Sequence, residues 1–259
     1  YVRDGGNLIA TYSTSLYDEA GKERKNYGLS ELFGVSYAGK KENTRRDNYQ
    51  YILNKKHPLV EPDSAQTELL FNAGFTALCK PTSNANVICT WVPTIQNQPP
   101  DKSWVEKFST EFPTVVENKY GKGKVLYFAN QPDVLSYQVG HQDPINLLLR
   151  SVRYLAGNTI QLESNAPSSV NIGLTESLIK RGQYILSFVN TTSGPVRPVR
   201  ELIPVNGIKV KLRLDGRSVA SHKVLRCQGN CQLKTNGQNI ELSLSKLEDF
   251  AAVHIQMSV

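Results

Sequence analysis

Long apolar runs are missing from this 259-residue chain. Nothing in it approaches the roughly 18 consecutive apolar residues of a membrane-crossing helix, so no membrane partner is expected. No signal-peptide pattern stands at the amino terminus. Methionine is nearly absent too: the one Met is Met257, and the chain opens on Tyr1. A chain without an initiating Met is expected to be a piece of a longer protein. Cysteine is scarce, at Cys79, Cys89, Cys227 and Cys231. Cys227 and Cys231 bracket Gln-Gly-Asn, a turn-like spacing that permits a small disulfide. No second Cys/His pair at zinc spacing accompanies them, so no metal site is expected. Cys79 and Cys89 end two apolar runs and read as a cross-strand pair or as free core thiols. This cysteine usage leaves the redox compartment, and with it cytoplasmic or secreted localisation, open.

Familiar catalytic patterns are missing as well. Gly121-Lys122-Gly123-Lys124 has glycines two apart and precedes a strand, whereas a phosphate loop needs Gly-x4-Gly-Lys-Ser/Thr before a helix. A hairpin turn explains it better. Neither Cys79 nor Cys89 sits on a Gly-flanked strand-to-helix elbow of the kind nucleophilic catalysis uses. Asp18-Glu19 and Glu248-Asp249 are adjacent carboxylates with the character of turns, and no eightfold strand–helix alternation supports a barrel. No catalytic residue and no cofactor-binding residue is assigned. Net charge is +7, with 18 basic against 16 acidic residues in 1–157 and 12 against 7 in 158–259. Lys209, Lys211 and Arg213 recur at period two, one solvated strand face rather than the clustered, aromatic-interleaved pattern of nucleic-acid binders. No nucleic-acid partner is expected.

What is present is a change of texture at Gly157. Pro113 to Gly157 holds two β runs, Val115–Lys119 and Val125–Ala129, joined by the Gly turn. A polar loop follows, then a helical pattern with Asp143 as N-cap, Pro144 at its first position, and Ile145, Leu148, Leu149, Val152 and Leu155 at helical spacing. Gly157 is a fitting stop. Upstream, Asn7–Tyr12 is a short apolar run suited to a strand of a parallel sheet, and Gln96–Asp101 is a polar, Pro-rich loop. Beyond Asn158–Pro167, a linker-like stretch, β runs alternate with turns and no helix: Val170–Leu174, Gln183–Val189, Ile208–Leu214, Ser218–Arg226, Ile240–Leu244 and Ala251–Gln256. Asn190–Pro195 and Asn236-Gly237 are turn signals. That is the pattern of a β-sandwich. Residues 1–157 therefore read as an α/β domain and 158–259 as an all-β sandwich domain. Asn190-Thr191-Thr192 fits a glycosylation acceptor and a turn equally well.

One position in this scheme favours a site. Open parallel sheets bind ligands beyond the carboxyl ends of their strands. Those ends are the loops after Asn7–Tyr12 and after Val125–Asn130. They carry Tyr12, Ser13, Tyr17, Asp18, Gln131, Asp133, Tyr137 and His141, a pocket or a subunit interface, with ordinary loop polarity as the competing reading.

The wording of several stretches resembles a known family. YVRDGGNLIATYSTSLYDEAGKERKNYGLSELFGVSYAG is similar to the β-galactosidase trimerisation domain, a class I glutamine amidotransferase-like domain that follows the catalytic barrel in family 42 β-galactosidases and related glycoside hydrolases. PTVVENKYGKGKVLYFANQPD and the helix ending RYLAG resemble the last strands and helix of that domain. APSSVNIGLTESLIKRGQYILSFVNTTSGPVRPVRELIPVNGIKVKLRL and LSLSKLEDFAAVHI resemble the β domain that ends several of those hydrolases. The resemblance implies a flavodoxin-like, amidotransferase-like α/β domain, incomplete at its amino terminus, then a β-sandwich. It also implies a non-catalytic role in oligomerisation and active-site framing, with an upstream barrel and a second copy as partners. Two alternatives stay open: a carbohydrate-binding module, and a free-standing amidotransferase-like enzyme.

Overall fold

A computed structural model describes residues 1–44, 48–94, 99, 101–105, 107–193, 201–214, 218–236 and 239–258. Of the turns and loops expected above, Gln96, Asn97, Gln98, Pro100, Gly194, Pro195 and Gly237 lie outside them. The chain divides into two units, Tyr1–Gly157 and Asn158–Val259.

In chain order the first unit comprises β1 (Leu8–Thr11), α1 (Ser30–Phe33), β2 (Val35–Thr44), β3 (Tyr49–Ile52), α2 (Glu61–Ser64) and β4 (Leu69–Phe71). There follow β5 (Gly74–Pro81), β6 (Asn86–Trp91), β7 (Pro113–Tyr120), β8 (Gly123–Phe128), α3 (Pro132–Gln138) and α4 (Gln142–Ala156). The β-branched and aromatic residues of β7 and β8 pair as an antiparallel hairpin, Tyr120 opposite Gly123. Both glycines of its turn are dictated by close approach. Lys122 N–H donates to Arg3 O at 3.0 Å, and a Cβ on Gly123 would collide with Gly6 O. Gly121 also has φ 61°, the left-handed region glycine enters without strain.

β1 adds to β8 in parallel, Leu8 opposite Val125. The six-stranded sheet runs β1-β8-β7-β6-β3-β4, and its other four pairings are antiparallel. This corrects the expectation of a parallel sheet, which holds for the β1–β8 pair alone. Parallel neighbours need a crossover of a dozen residues or more, and β7 and β8 are joined by two. On one face Leu147 of α4 meets Ile52, Leu59, Ile88, Val115, Leu126 and Phe128. On the other, Phe33 of α1 and Ala77 and Cys79 of β5 meet Val116, Val125 and Tyr127. There β2 and β5 form a separate two-stranded ribbon.

Helix α4 corrects two further expectations. It begins at Gln142 and is capped by His141, whose side chain accepts from Asp143 N–H. Asp143 instead accepts from Phe71 N–H at 2.8 Å, which ties the helix start to β4. The buried stripe is Pro144, Leu147 and Ser151. Of the expected stripe, Leu155 packs against the core and Ile145 and Leu148 are half-buried, while Leu149 and Val152 face outward, 51% and 53% exposed. Two polar anchors set this rotation. Arg150 forms a two-pronged pair with Asp63 and donates to Leu59 O, and Tyr154 donates to Glu117. Helix α3 lies in the expected polar loop; with only Pro132 and Leu135 buried, it offers too little apolar periodicity to show in sequence.

The second unit holds β9 (Leu162–Ser164), β10 (Val170–Glu176), β11 (Gln183–Asn190), β12 (Val205–Arg213), β13 (Val219–Arg226), β14 (Cys231–Asn236), β15 (Asn239–Leu247) and β16 (Phe250–Met257). They form two four-stranded antiparallel sheets, β10-β11-β16-β13 and β14-β15-β12-β9. One apolar core including Leu186, Phe188, Val210, Leu242 and Val253 draws on both. Ile208, Val210 and Leu212 are buried while Lys209, Lys211 and Arg213 are exposed, the period-two division of a strand with one wet face. β9 falls within the stretch read as a linker, since its three residues carry one apolar side chain. No bridge joins Cys227 to Cys231: both are free thiols, and the Cys227 thiol donates to Gly229 O. Asn190 is not a glycosylation acceptor in this fold. It is buried, and its amide nitrogen donates to Ile203 O and Glu248 O. No helix among the described residues is long and apolar enough to cross a membrane.

Candidate functional site

The parallel pair places the ends of β1 and β8 side by side. β1 leaves the sheet through Tyr12, whose N–H donates to Phe128 O at 2.6 Å and whose carbonyl accepts from Tyr127 Oη at 2.6 Å. These bonds hold Tyr12 at φ 50°, with Ser15 close behind at φ 63°, the two non-glycine residues of positive φ among those described. A bulky residue held there costs on the order of 1–3 kcal/mol, and such strain concentrates at functional sites.

The β2–β5 ribbon overhangs these ends. Ala77 N–H donates to Ala129 O at 2.8 Å, which fastens β5 to the chain just past β8. Beyond that anchor Asn43 stands opposite Phe75. The Phe75 ring lies 6.0 Å from that of Tyr12 and stays 42% exposed. Lys41 bonds to both Glu23 and Tyr17, and its ammonium lies 4.7 Å from the centre of the Tyr17 ring. Burial works against the Lys41 charge, but those two hydrogen bonds outweigh it and hold its pKa above the ordinary lysine value. The Lys41 hydrogen bond in turn holds Glu23 below the usual carboxylate range.

Under the surface lies an amide network. Asn130, just past β8, donates to Asn72 Oδ1 at 2.8 Å and to Gln50 Oε1 at 3.4 Å. Thr114 Oγ1 donates to the same Gln50 oxygen at 2.7 Å. All four residues are buried, as is Asn48. Both side-chain polar atoms of Asn48, and Oδ1 of Asn130, have no hydrogen-bond partner.

The predicted residues divide over this geometry. Tyr12, Tyr17 and Gln131 reach the strand-end face; Gln131 Oε1 lies 3.8 Å from where a Cβ on Gly74 would stand. Asp18 folds its own turn, its carboxylate accepting from Ala20 and Lys22 N–H. Ser13 accepts Leu16 N–H at its carbonyl. Asp133 sits in the first turn of α3. Tyr137 is 92% exposed. His141 stacks on Phe71 at 4.3 Å while capping α4. Reading the sequence missed Phe75 and Lys41, which only the β2–β5 register brings to the strand ends, and Glu23, which the loop after β1 sets opposite Tyr17.

It also missed a second polar cluster, on the α4 face of the sheet. Glu117 accepts from His57 Nε2 at 3.3 Å, Tyr154 Oη at 2.7 Å and Asn86 Nδ2 at 3.3 Å. Lys124 donates to Tyr154 Oη at 3.0 Å. His57 Nδ1 accepts from Leu59 N–H, so Nε2 carries the hydrogen it gives to Glu117. The His57 bond leads the interactions that bring the Glu117 pKa down to about 2. This is a buried clamp between helix and sheet. Neither core thiol suits nucleophilic chemistry, since burial pushes Cys79 up to about 12 and Cys89 higher still. Among the described residues no three of His, Cys, Asp and Glu gather closely enough to hold a metal ion.

The whole chain resembles parts of larger solved proteins. Alpha-L-fucosidase isoenzyme 2 from Paenibacillus thiaminolyticus matches 98% of this chain with 37% of its own, at TM-score 0.69 and 15% identity. Gan42B, a GH42 beta-galactosidase from G. stearothermophilus, matches 98% with 28% of its own, at TM-score 0.55 and 14% identity. The beta-galactosidase from Bacillus circulans sp. alkalophilus matches 98% with 30%, at TM-score 0.54 and 12% identity. The fold is glycoside-hydrolase-related. The chain spans about a third of the length of these structures. No protein-family model and no curated protein sequence matches it.

Proposed function

We propose that this chain is the accessory, non-catalytic region of a carbohydrate-active hydrolase, serving assembly and framing an active site carried elsewhere in that protein. One observation carries the reading: the likeness spans 98% of this chain but 37% or less of hydrolases with three different sources. The finer assignment, an amidotransferase-like α/β domain, draws support from the parallel β1–β8 pair with layers on both faces of its sheet. The assembly role draws support from α4, which turns Leu149 and Val152 outward, and from Val139 just past α3, 56% exposed. Apolar side chains at i and i+3 on a wet helix face mark a contact surface.

The purified chain should not turn over aryl glycosides, and steady turnover overturns the proposal. Analytical ultracentrifugation at rising concentration should show self-association that the double variant Leu149→Glu/Val152→Glu abolishes. A chain that stays monomeric throughout removes the assembly role.

A further inference from the structure

The strand-end face combines features that the fold itself does not require. Tyr12 is held in a strained backbone conformation. Its ring lies 6.0 Å from that of Phe75, which remains 42% exposed, as does Tyr17. Tyr17, Lys41 and Glu23 bond to one another within electrostatic reach of the Tyr12 hydroxyl, and Gln131 Oε1 lies 3.8 Å from where a Cβ on Gly74, the neighbour of Phe75, would stand. Lys41 is already matched by Glu23, and so paired it adds little for an anionic ligand such as a phosphate. An aromatic ring surrounded by paired donors and acceptors suits a neutral ligand with one apolar face and a rim of hydroxyls. That is the chemistry of a pyranose ring, whose C–H face lies on an aromatic side chain while its hydroxyls give and take hydrogen bonds.

We infer that this face is a pyranoside-binding surface, with the sugar stacked on Phe75 and its hydroxyls bonded to the Lys41–Glu23 pair and the Gln131 amide. The choice of a sugar over other neutral polyols rests on the proposed function; the placement rests on the geometry. Nothing in it involves α4, the helix given the assembly role.

Saturation-transfer NMR on the full chain, with methyl β-galactopyranoside, methyl α-fucopyranoside and methyl β-glucopyranoside as probes, tests it. At least one probe should receive saturation. Its affinity should fall about tenfold or more in Phe75→Ala, the loss expected for one stacked ring, and should survive in Phe75→Tyr. Gln131→Ala, a surface change that leaves the core intact, should weaken binding with an unchanged thermal midpoint, which keeps the inference testable if Phe75→Ala unfolds. No transfer to any probe overturns the inference, and so does binding that Phe75→Ala and Gln131→Ala both leave intact. Self-association lost in Phe75→Ala, without a sugar response, assigns the face to a second copy and also overturns it. A chain that binds no pyranoside yet assembles through α4 sinks this site alone. A chain that turns over aryl glycosides sinks the proposed function and leaves the site to be judged on its own binding data.

Discussion

The two units bury different chemistry. Of the eleven buried polar side chains among the described residues, ten lie in Tyr1–Gly157, and Asn190 alone lies in Asn158–Val259. The second unit is held by one apolar core divided between two sheets, the arrangement that period-two alternation dictates. The first holds two apolar clusters, and polar networks run beside them: Gln50–Asn72–Thr114–Asn130 at the strand ends, and His57–Glu117–Tyr154–Lys124 on the α4 face. Apolar cores tolerate many sequences, whereas buried polar groups are costly unless partnered and so fix one arrangement. The candidate site lies in the unit that bears this cost.

The largest effect expected is in the apolar unit. Phe188 is fully buried in the sandwich core, and Phe188→Ala should cost about 4 kcal/mol through lost burial and a cavity. Trp91 and Trp104 both belong to the first unit, and the chain has no other Trp. Tryptophan emission therefore reports that unit alone. Amide exchange over β10 to β16 should accelerate in Phe188→Ala while the emission transition in denaturant stays in place. A shifted emission transition would show that the units do not differ in the way their cores suggest.

This division also governs what could be read from the sequence. The strands of the sandwich were legible at Val170, Gln183, Ile208, Ser218, Ile240 and Ala251, because alternation is a local signal. The β7–β8 hairpin was legible for the same reason, and its glycines spoke against a phosphate loop. Helix α4 was legible as a helix but not in its rotation. It carries apolar residues on two sides, and the choice between them is made by Arg150 meeting Asp63, 87 residues away. The β1 and β8 strand ends were found by a positional rule, yet Phe75 and Lys41 arrive there only through ribbon pairing between distant segments. Neither His57 nor Glu117 stood out in the sequence. Sixty residues separate them, and no periodicity links them.

An intermediate effect is expected from acid. Glu117 titrates near 2 in the folded unit against an ordinary value of 4.5. The unfolded chain thus binds the proton more readily, so the stabilisation is complete above about pH 4.5 and is lost as pH falls from there through about 2. Discounted for partial exposure, the loss should reach about 2 kcal/mol. Urea unfolding followed by tryptophan emission at pH 6, 4 and 3 should show it in the parent chain, and Glu117→Gln should flatten the slope. An equal slope in both would mean that the clamp contributes nothing in solution and that the polar unit is held by its apolar clusters alone.

The smallest effect should have the opposite sign. Asn48 is fully buried, and neither its amide nitrogen nor its oxygen is bonded. Its backbone carbonyl, which accepts from Asn72 N–H at 2.8 Å, is kept by any substitution. Leucine branches at the same carbon and carries no polar atom, so Asn48→Leu removes a desolvation cost without removing a hydrogen bond. A gain of about 1 kcal/mol follows, after some allowance for the larger side chain. Asn130→Leu is the matched contrast: it deletes donors to Asn72 and Gln50 and should destabilise the unit. If Asn48→Leu loses stability instead, a buried water closes the network through Asn48. The strand-end polar layer would then be fully satisfied, and the first unit would match the second in economy while differing in chemistry.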